Sequence, residues 1–135
     1  MKKNSVFVIL FFTFFINCYA QFSKTHYIPP LSGSSNVISE DQYLYISTPN
    51  INPINFKITE IGGNIIQGTV SKSTPFEYYI GFGNDTQLHV DAGLSNAVFN
   101  NKGYIVEADD LVYVSARVTA GNGNQAGELV SKGLA

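Results

Sequence analysis

The sequence has almost no cysteine, few basic residues, no apolar run long enough to cross a membrane and no stretch with a sustained helical period. Each absence excludes something. The one cysteine, Cys18, cannot form an intrachain disulfide, so stability has to come from a packed core. Eight Lys and Arg stand against ten Asp and Glu, for a formal net charge of −2. Beyond the first three residues the basic ones, Lys24, Lys57, Lys72, Lys102, Arg117 and Lys132, are scattered along the chain. That argues against a nucleic-acid partner, whose affinity is built on a Lys/Arg surface. The uncharged run from Val6 to Ile16 is eleven residues long, whereas crossing a bilayer as a helix takes roughly 20, so no transmembrane anchor is expected. No Gly-x-Ser-x-Gly elbow and no Asp-x-Asp-x-Asp-Gly loop occurs, and the glycine-rich stretches neither open onto a helix nor lead into Lys-Ser/Thr. No catalytic, cofactor-binding or metal residue set emerges.

What is present at the front is an export signal. Lys2-Lys3, the apolar run to Ile16 and the sequence Asn17-Cys18-Tyr19-Ala20 before Gln21 form a positive head, an apolar middle and small residues three and one before a cut. Lipidation at Cys18 is the alternative, but Asn17 stands where a small residue is expected. Cleavage between Ala20 and Gln21 is therefore favoured. Removing residues 1–20 from 135 leaves 115, enough for one domain with a modest core. The expected organisation is a signal peptide over 1–20, an extended lead-in over 21–41 and a β-sandwich domain over 42–135. The location is then secreted or cell surface.

The rest reads as strands joined by polar turns. Pro29-Pro30 forbids helix and imposes an extended path before Ser32 to Asn36. Tyr43 to Thr48 is aromatic and β-branched and ends at Pro49. Ile54 to Thr59 alternates without error, placing Ile54, Phe56 and Ile58 on one face, and Gly62-Gly63-Asn64 turns it into a partner strand from Ile65 to Ser71. Phe76, Tyr78, Ile80 and Phe82 share a face in the next strand, and a short strand follows around Leu88 to Val90. Two strands, Lys102 to Ala108 and Leu111 to Ala120, flank Asp109-Asp110, which predicts a tight turn there. The second has Val112, Val114, Ala116 and Val118 on one side and Tyr113, Ser115 and Arg117 on the other. The expected fold class is all-β, an antiparallel sandwich. Glu128 to Ala135 reads like the start of another element, so either this is a frayed tail of a complete domain or, as favoured, the sandwich is incomplete at the C-terminus.

Three sets of side chains invite a chemical reading. His89, Asp91 and Ser95 are hydrolase triad types close in sequence, although strand spacing puts Ser95 in a loop. Asp85, Asp91, Glu107, Asp109 and Asp110 could supply oxygens to calcium, which takes about six to eight; with only His26 and His89, zinc is less favoured. Tyr43, Tyr45, Tyr79 and Tyr113 offer a binding platform, against the plainer reading that they pack on a second sheet.

The stretches QFSKTHYIPPL from Gln21, QYLYISTP from Gln42, VYVSARV from Val112 and GNGNQAGELVSKGLA from Gly121 resemble the amino-terminal region of large secreted surface proteins of Bacteroidota. The early part of those proteins is similar to the IgGFc-binding protein amino-terminal domain. The resemblance implies type IX export of the gliding-motility-associated kind, through a sorting domain that nothing in this sequence matches. It also implies a polypeptide that continues beyond this segment, with no catalytic residues to transfer. The expected function is that of an exported, non-enzymatic segment of a cell-surface, adhesin-like protein that binds protein or glycan. The alternative is a small secreted hydrolase or calcium-dependent module using Asp85 to Ser95.

Overall fold

The computed structural model describes residues 22–33, 38–121 and 124–131, the last of these as backbone only. The signal-peptide reading, with its cut between Ala20 and Gln21, lies outside the described residues. Nine strands follow one another: β1 (Ser23–Ile28), β2 (Leu31–Gly33), β3 (Ser39–Ser47), β4 (Ile54–Glu60), β5 (Ile65–Val70), β6 (Phe76–Phe82), β7 (His89–Asp91), β8 (Tyr104–Ala120) and β9 (Asn124–Ser131). A single 3-10 turn, Ala92–Leu94, is the only helical element among the described residues. The protein is all-β. Its main sheet is antiparallel in the order β5-β4-β8-β3-β6, with β1 and β9 also paired to β8. One departure from a wholly antiparallel fold is the small parallel ribbon of β2 and β7, Leu31 opposite His89.

Within the lead-in expected over 21–41, β1 is a strand of the main sheet and β2 of the small ribbon. β1 pairs with β8 from Ile28 opposite Tyr104 to Ser23 opposite Val112, and β3 begins at Ser39 rather than 42. Pro29-Pro30 merely separates β1 from β2. The chain at Pro29-Pro30 is extended, as proline requires, but an extended chain pairs wherever a sheet edge is open to it.

β8 corrects the largest local expectation. Asp109-Asp110 is no turn; the strand runs straight through it for 17 residues. Its first half pairs with β4 and β1, and its second with β3 and β9. Tyr104, Val106, Val112, Val114, Ala116 and Val118 are all buried, so the even-numbered face keeps its period of two across the acidic pair. Between the halves the ladders fail: β4 ends opposite Ala108, β3 starts opposite Tyr113, and β1 jumps in register from Glu107 to Val112. Buried or half-buried carbonyls left without a ladder donor are costly, and side chains replace the missing strands. Lys24 Nζ donates to Asp109 O (2.8 Å), Thr48 Oγ1 to Leu111 O (2.7 Å) and His26 Nε2 to Val112 O (2.8 Å). The carboxylates themselves accept from Asn55 Nδ2 (2.7 Å, Asp109) and Asn50 Nδ2 (2.8 Å, Asp110). The bond from Asn50, with the Leu111 N–H, holds the Asp110 carboxyl below its ordinary pKa.

The sheet folds over itself about this crossing. Phe56 of β4 and Phe76 of β6 lie far apart in strand order, yet their ring centroids are 4.6 Å apart. The two half-sheets are therefore face to face, sandwich-like, over Leu44, Ile46, Phe56, Ile58, Val70, Val106 and Val114. The expected β4–β5 hairpin forms, with Phe56 and Ile58 buried and Gly62 at φ 79 in its turn. Phe82 departs from expectation: it is 64% exposed. A register shift opposite Gln42/Tyr43 inserts Ile80 as an extra residue, so Gly81 takes the inward place opposite Gln42 and Phe82 turns out.

Two tyrosines close the core. Tyr78 Oη donates to Glu60 Oε1 at 3.0 Å, and Tyr104 meets Tyr78 edge-on at 6.3 Å. The Tyr104 hydroxyl is buried and finds no partner among the described residues. Burial first, then the bond to Glu60, pushes the Tyr78 phenol up from 10.0 to about 12, and burial pushes Tyr104 up as well. Both phenols hold their proton more tightly folded than unfolded. Their contribution to stability is thus complete below pH 10 and lost as pH rises through the folded values. Thermal melts are expected to fall steeply between about pH 10 and 12. The Tyr78→Phe, Tyr104→Phe double variant should flatten that fall, and an unchanged slope would contradict the assignment. Tyr104→Phe alone should be neutral or stabilising near pH 7, because it deletes an unpartnered buried hydroxyl.

Candidate functional site

On the second half of β8 Val112, Val114, Ala116 and Val118 are buried on one face, while on the other Tyr113 and Arg117 are half-buried and the small Ser115 and Thr119 are buried. On β3, from Gln42 onward, the even positions are likewise buried and the odd ones half-buried. Leu44 and Ile46 are fully buried; Tyr43 and Tyr45 face out beside them. Register puts Tyr43 between Tyr79 of β6 and Arg117 of β8, and Tyr45 between Glu77 and Ser115. The rings gather accordingly. Tyr43 and Tyr45 stack with centroids 5.9 Å apart at 29°, and Tyr43 meets Tyr79 at 5.3 Å and 52°. Tyr79 is 49% exposed, and Phe82 extends the aromatic strip opposite Asp41. The cross-strand part of the expected packing is seen directly, with Tyr43 and Tyr79 register partners whose rings touch. Tyr113 lies apart, tilted against Phe22 at 6.1 Å.

Carboxylates fix the rings. Tyr79 Oη donates to Asp41 Oδ1 at 2.9 Å, and that bond is the main reason its phenol pKa is raised. The Tyr45 phenol is raised first by burial and then by Glu77, to which it is hydrogen-bonded; Arg117 acts in the opposite sense. The Tyr45 and Tyr79 hydroxyls are thus anchored. The Arg117 Nε is buried without a hydrogen-bond partner among the described residues. What the face presents is a rigid set of aromatic surfaces rimmed by Asp41, Glu77 and Arg117.

The triad residues are only partly brought together. His89 is buried, its Nε2 3.3 Å from Asp91 Oδ1, while Ser95 is exposed beyond the 3-10 turn. A different serine completes the contact: Ser39 Oγ lies 3.2 Å from His89 Nδ1. Nothing in the sequence connects residues 50 apart, so this pairing was not legible. Ser39 is 7% exposed, its N–H donates to Asn84 Oδ1 at 2.8 Å, and its carbonyl accepts from the Gly83 N–H at 2.9 Å. Two surface clefts, of about 610 Å³ beside Asn55, Lys57, Gln67 and Glu107 and about 300 Å³ beside Pro30, Ser32 and Ser95, are lined by none of Ser39, His89 and Asp91. The geometry is that of a brace between the β2–β7 ribbon and β3.

The acidic residues considered for calcium are dispersed. Asp85 is in the loop after β6, Asp91 ends β7 beside His89, and Glu107 is tied to Lys57 at 2.6 Å. Asp109 and Asp110 are occupied by Asn55 and Asn50. Among the described residues no three His, Cys, Asp or Glu converge as metal ligands, and no helix is long and apolar enough to cross a membrane. No family model, curated protein or solved structure matches this chain, so the resemblance to secreted surface proteins rests on its quoted motifs.

Proposed function

We propose that this chain is a non-enzymatic, exported segment of a cell-surface, adhesin-like protein, and that it binds its ligand through the tyrosine face of β3 and β6. The observation that carries the reading is the arrangement of Tyr43, Tyr45 and Tyr79: Tyr43 in ring contact with both others, Tyr79 exposed and Tyr43 and Tyr45 half-exposed, with the Tyr45 and Tyr79 hydroxyls held by Glu77 and Asp41. Tyrosine joins apolar area to a polar tip at low entropic cost, which suits it to recognition surfaces. Here the Tyr45 and Tyr79 hydroxyls are engaged, so their ring faces are what remains to offer. Between protein and glycan, this favours glycan: the C–H face of a pyranose stacks on an aromatic ring while its hydroxyls bond to rim carboxylates and guanidinium. Export is supported by the positive head, apolar middle and small-residue cut site before Gln21.

An array of neutral and acidic glycans probed with the purified chain tests this. The wild-type chain is expected to bind a defined subset, and Tyr43→Ala or Tyr79→Ala to weaken that binding by about 1 kcal/mol or more each, with the fold unchanged by circular dichroism. Glycan binding that survives both substitutions undiminished, or no binding at all, would sink the glycan reading.

A further inference from the structure

Among the described residues β5 and β6 end the strand order of the main sheet, β5 pairing only with β4 and β6 only with β3, while β1 and β9 each pair with β8 alone among named strands. Open strand edges present free N–H and C=O groups, and proteins guard them with charge, proline or bulges. β6 carries Glu77 and the register shift near Ile80; β1 carries Lys24, a register shift and Pro29-Pro30 after it. β9 has Glu128 in its sequence and a shift near Val118/Thr119. β5 has none of these devices. Ile65–Val70 reads IIQGTV, uncharged and proline-free, in unbroken register with β4.

The hairpin determines which groups face outward. Glu60 N–H donates to Asn64 O at 2.9 Å, so alternation along the ladder places Ile66, Gly68 and Val70 in the hydrogen-bonded pairs with β4. The N–H and C=O of Ile65, Gln67 and Thr69 then point to the open edge. We propose that a second copy of this chain docks there, β5 against β5, antiparallel about a two-fold axis. With Gln67 opposite the partner's Gln67 and Ile65 opposite the partner's Thr69, each outward donor meets an acceptor, for about six hydrogen bonds. The strand is its own complement. No like charges meet, because the nearest cation, Lys57, is already paired with Glu107 at 2.6 Å. Ile65, 61% exposed in the single chain, is covered by the partner's Thr69. On the inner face the Phe56 ring lies over Gly68, and the partner's Ile66 packs at the edge of that ring.

Sedimentation velocity of the purified chain over a concentration series tests this, with circular dichroism as the control for folding. A reversible monomer–dimer equilibrium is expected. Gln67→Lys sets two ammonium groups opposite each other at the axis and should weaken the dimer roughly tenfold. Gln67→Pro removes the central edge donor without touching the β4 ladder and should abolish the dimer; if it fails to fold, Gln67→Lys decides alone. A chain that remains monomeric throughout the series, or a dimer of unchanged strength in a folded variant, overturns the proposal.

Discussion

Replacing His26 by alanine is expected to lower the unfolding free energy by about 3 kcal/mol, among the largest losses any single substitution here should cause. The ring is 0% exposed, and its Nε2 lies 2.8 Å from Val112 O and 3.2 Å from Ser23 O. Both partners are carbonyls, so Nε2 carries the hydrogen and donates. It does so where β1 and β8 lose their mutual ladder, between Thr25 and Ser23. Alanine would leave a cavity and strip two buried acceptors at once, each of which costs about 1–3 kcal/mol when unsatisfied. Urea unfolding at neutral pH measures it. A loss below about 1 kcal/mol would mean that water or neighbouring groups replace the ring, and that the crossing of β8 does not depend on it. Thr48→Val serves as a milder companion, since it removes the bond to Leu111 O and the longer one accepted from the Asn50 N–H, and should cost about 1 kcal/mol.

Gly103→Ala should be comparably damaging, at about 3 kcal/mol, for a different reason. Gly103 sits at φ 100, where side chains are strained, and an added Cβ would lie 2.6 Å from Ile28 O, a backbone atom that cannot swing aside. The residue is also a junction. Its N–H donates to Gln87 O at 2.9 Å, and its carbonyl accepts from the Ile61 N–H at 3.1 Å, tying the start of β8 to the β4–β5 turn and to the loop before β7. Gly83 separates strain from collision: it has φ 91 but nothing within 4 Å of an added Cβ. Gly83→Ala should therefore cost only the conformational part, about 1 kcal/mol. Equal melting temperatures for the two variants would refute the steric account.

Much of the strand content was legible because alternation is a local property. Ile54, Phe56 and Ile58 declare their face within six residues, and Gly62-Gly63-Asn64 declares the turn that follows. Asp109-Asp110 misled because aspartate favours turns in isolation. The contrary signal was the parity of Tyr104, Val106, Ala108, Val112 and Val114, which a turn would have had no reason to preserve. What made a strand possible there was distant: Lys24, His26 and Thr48 supply backbone hydrogen bonds that a ladder would have supplied, and Asn50 and Asn55 bond the two carboxylates. The candidate site was half legible. Tyr43, Tyr45 and Tyr79 were identified as sharing an outward side, but whether a second sheet covered them depended on which way the long sheet folds. The contact of Ser39 with His89 had no sequence signal at all.

Local chemistry in the sequence by itself determined the all-β character, the β4–β5 hairpin and that no intrachain disulfide can form, because propensity, period and composition act over a few residues. Only the tertiary structure decided that β8 is one strand shared by two half-sheets, that the tyrosine face looks outward, and that β5 keeps an unguarded edge. Those outcomes follow from pairing and folding-over, in which a strand's second face and second edge are assigned by segments tens of residues away.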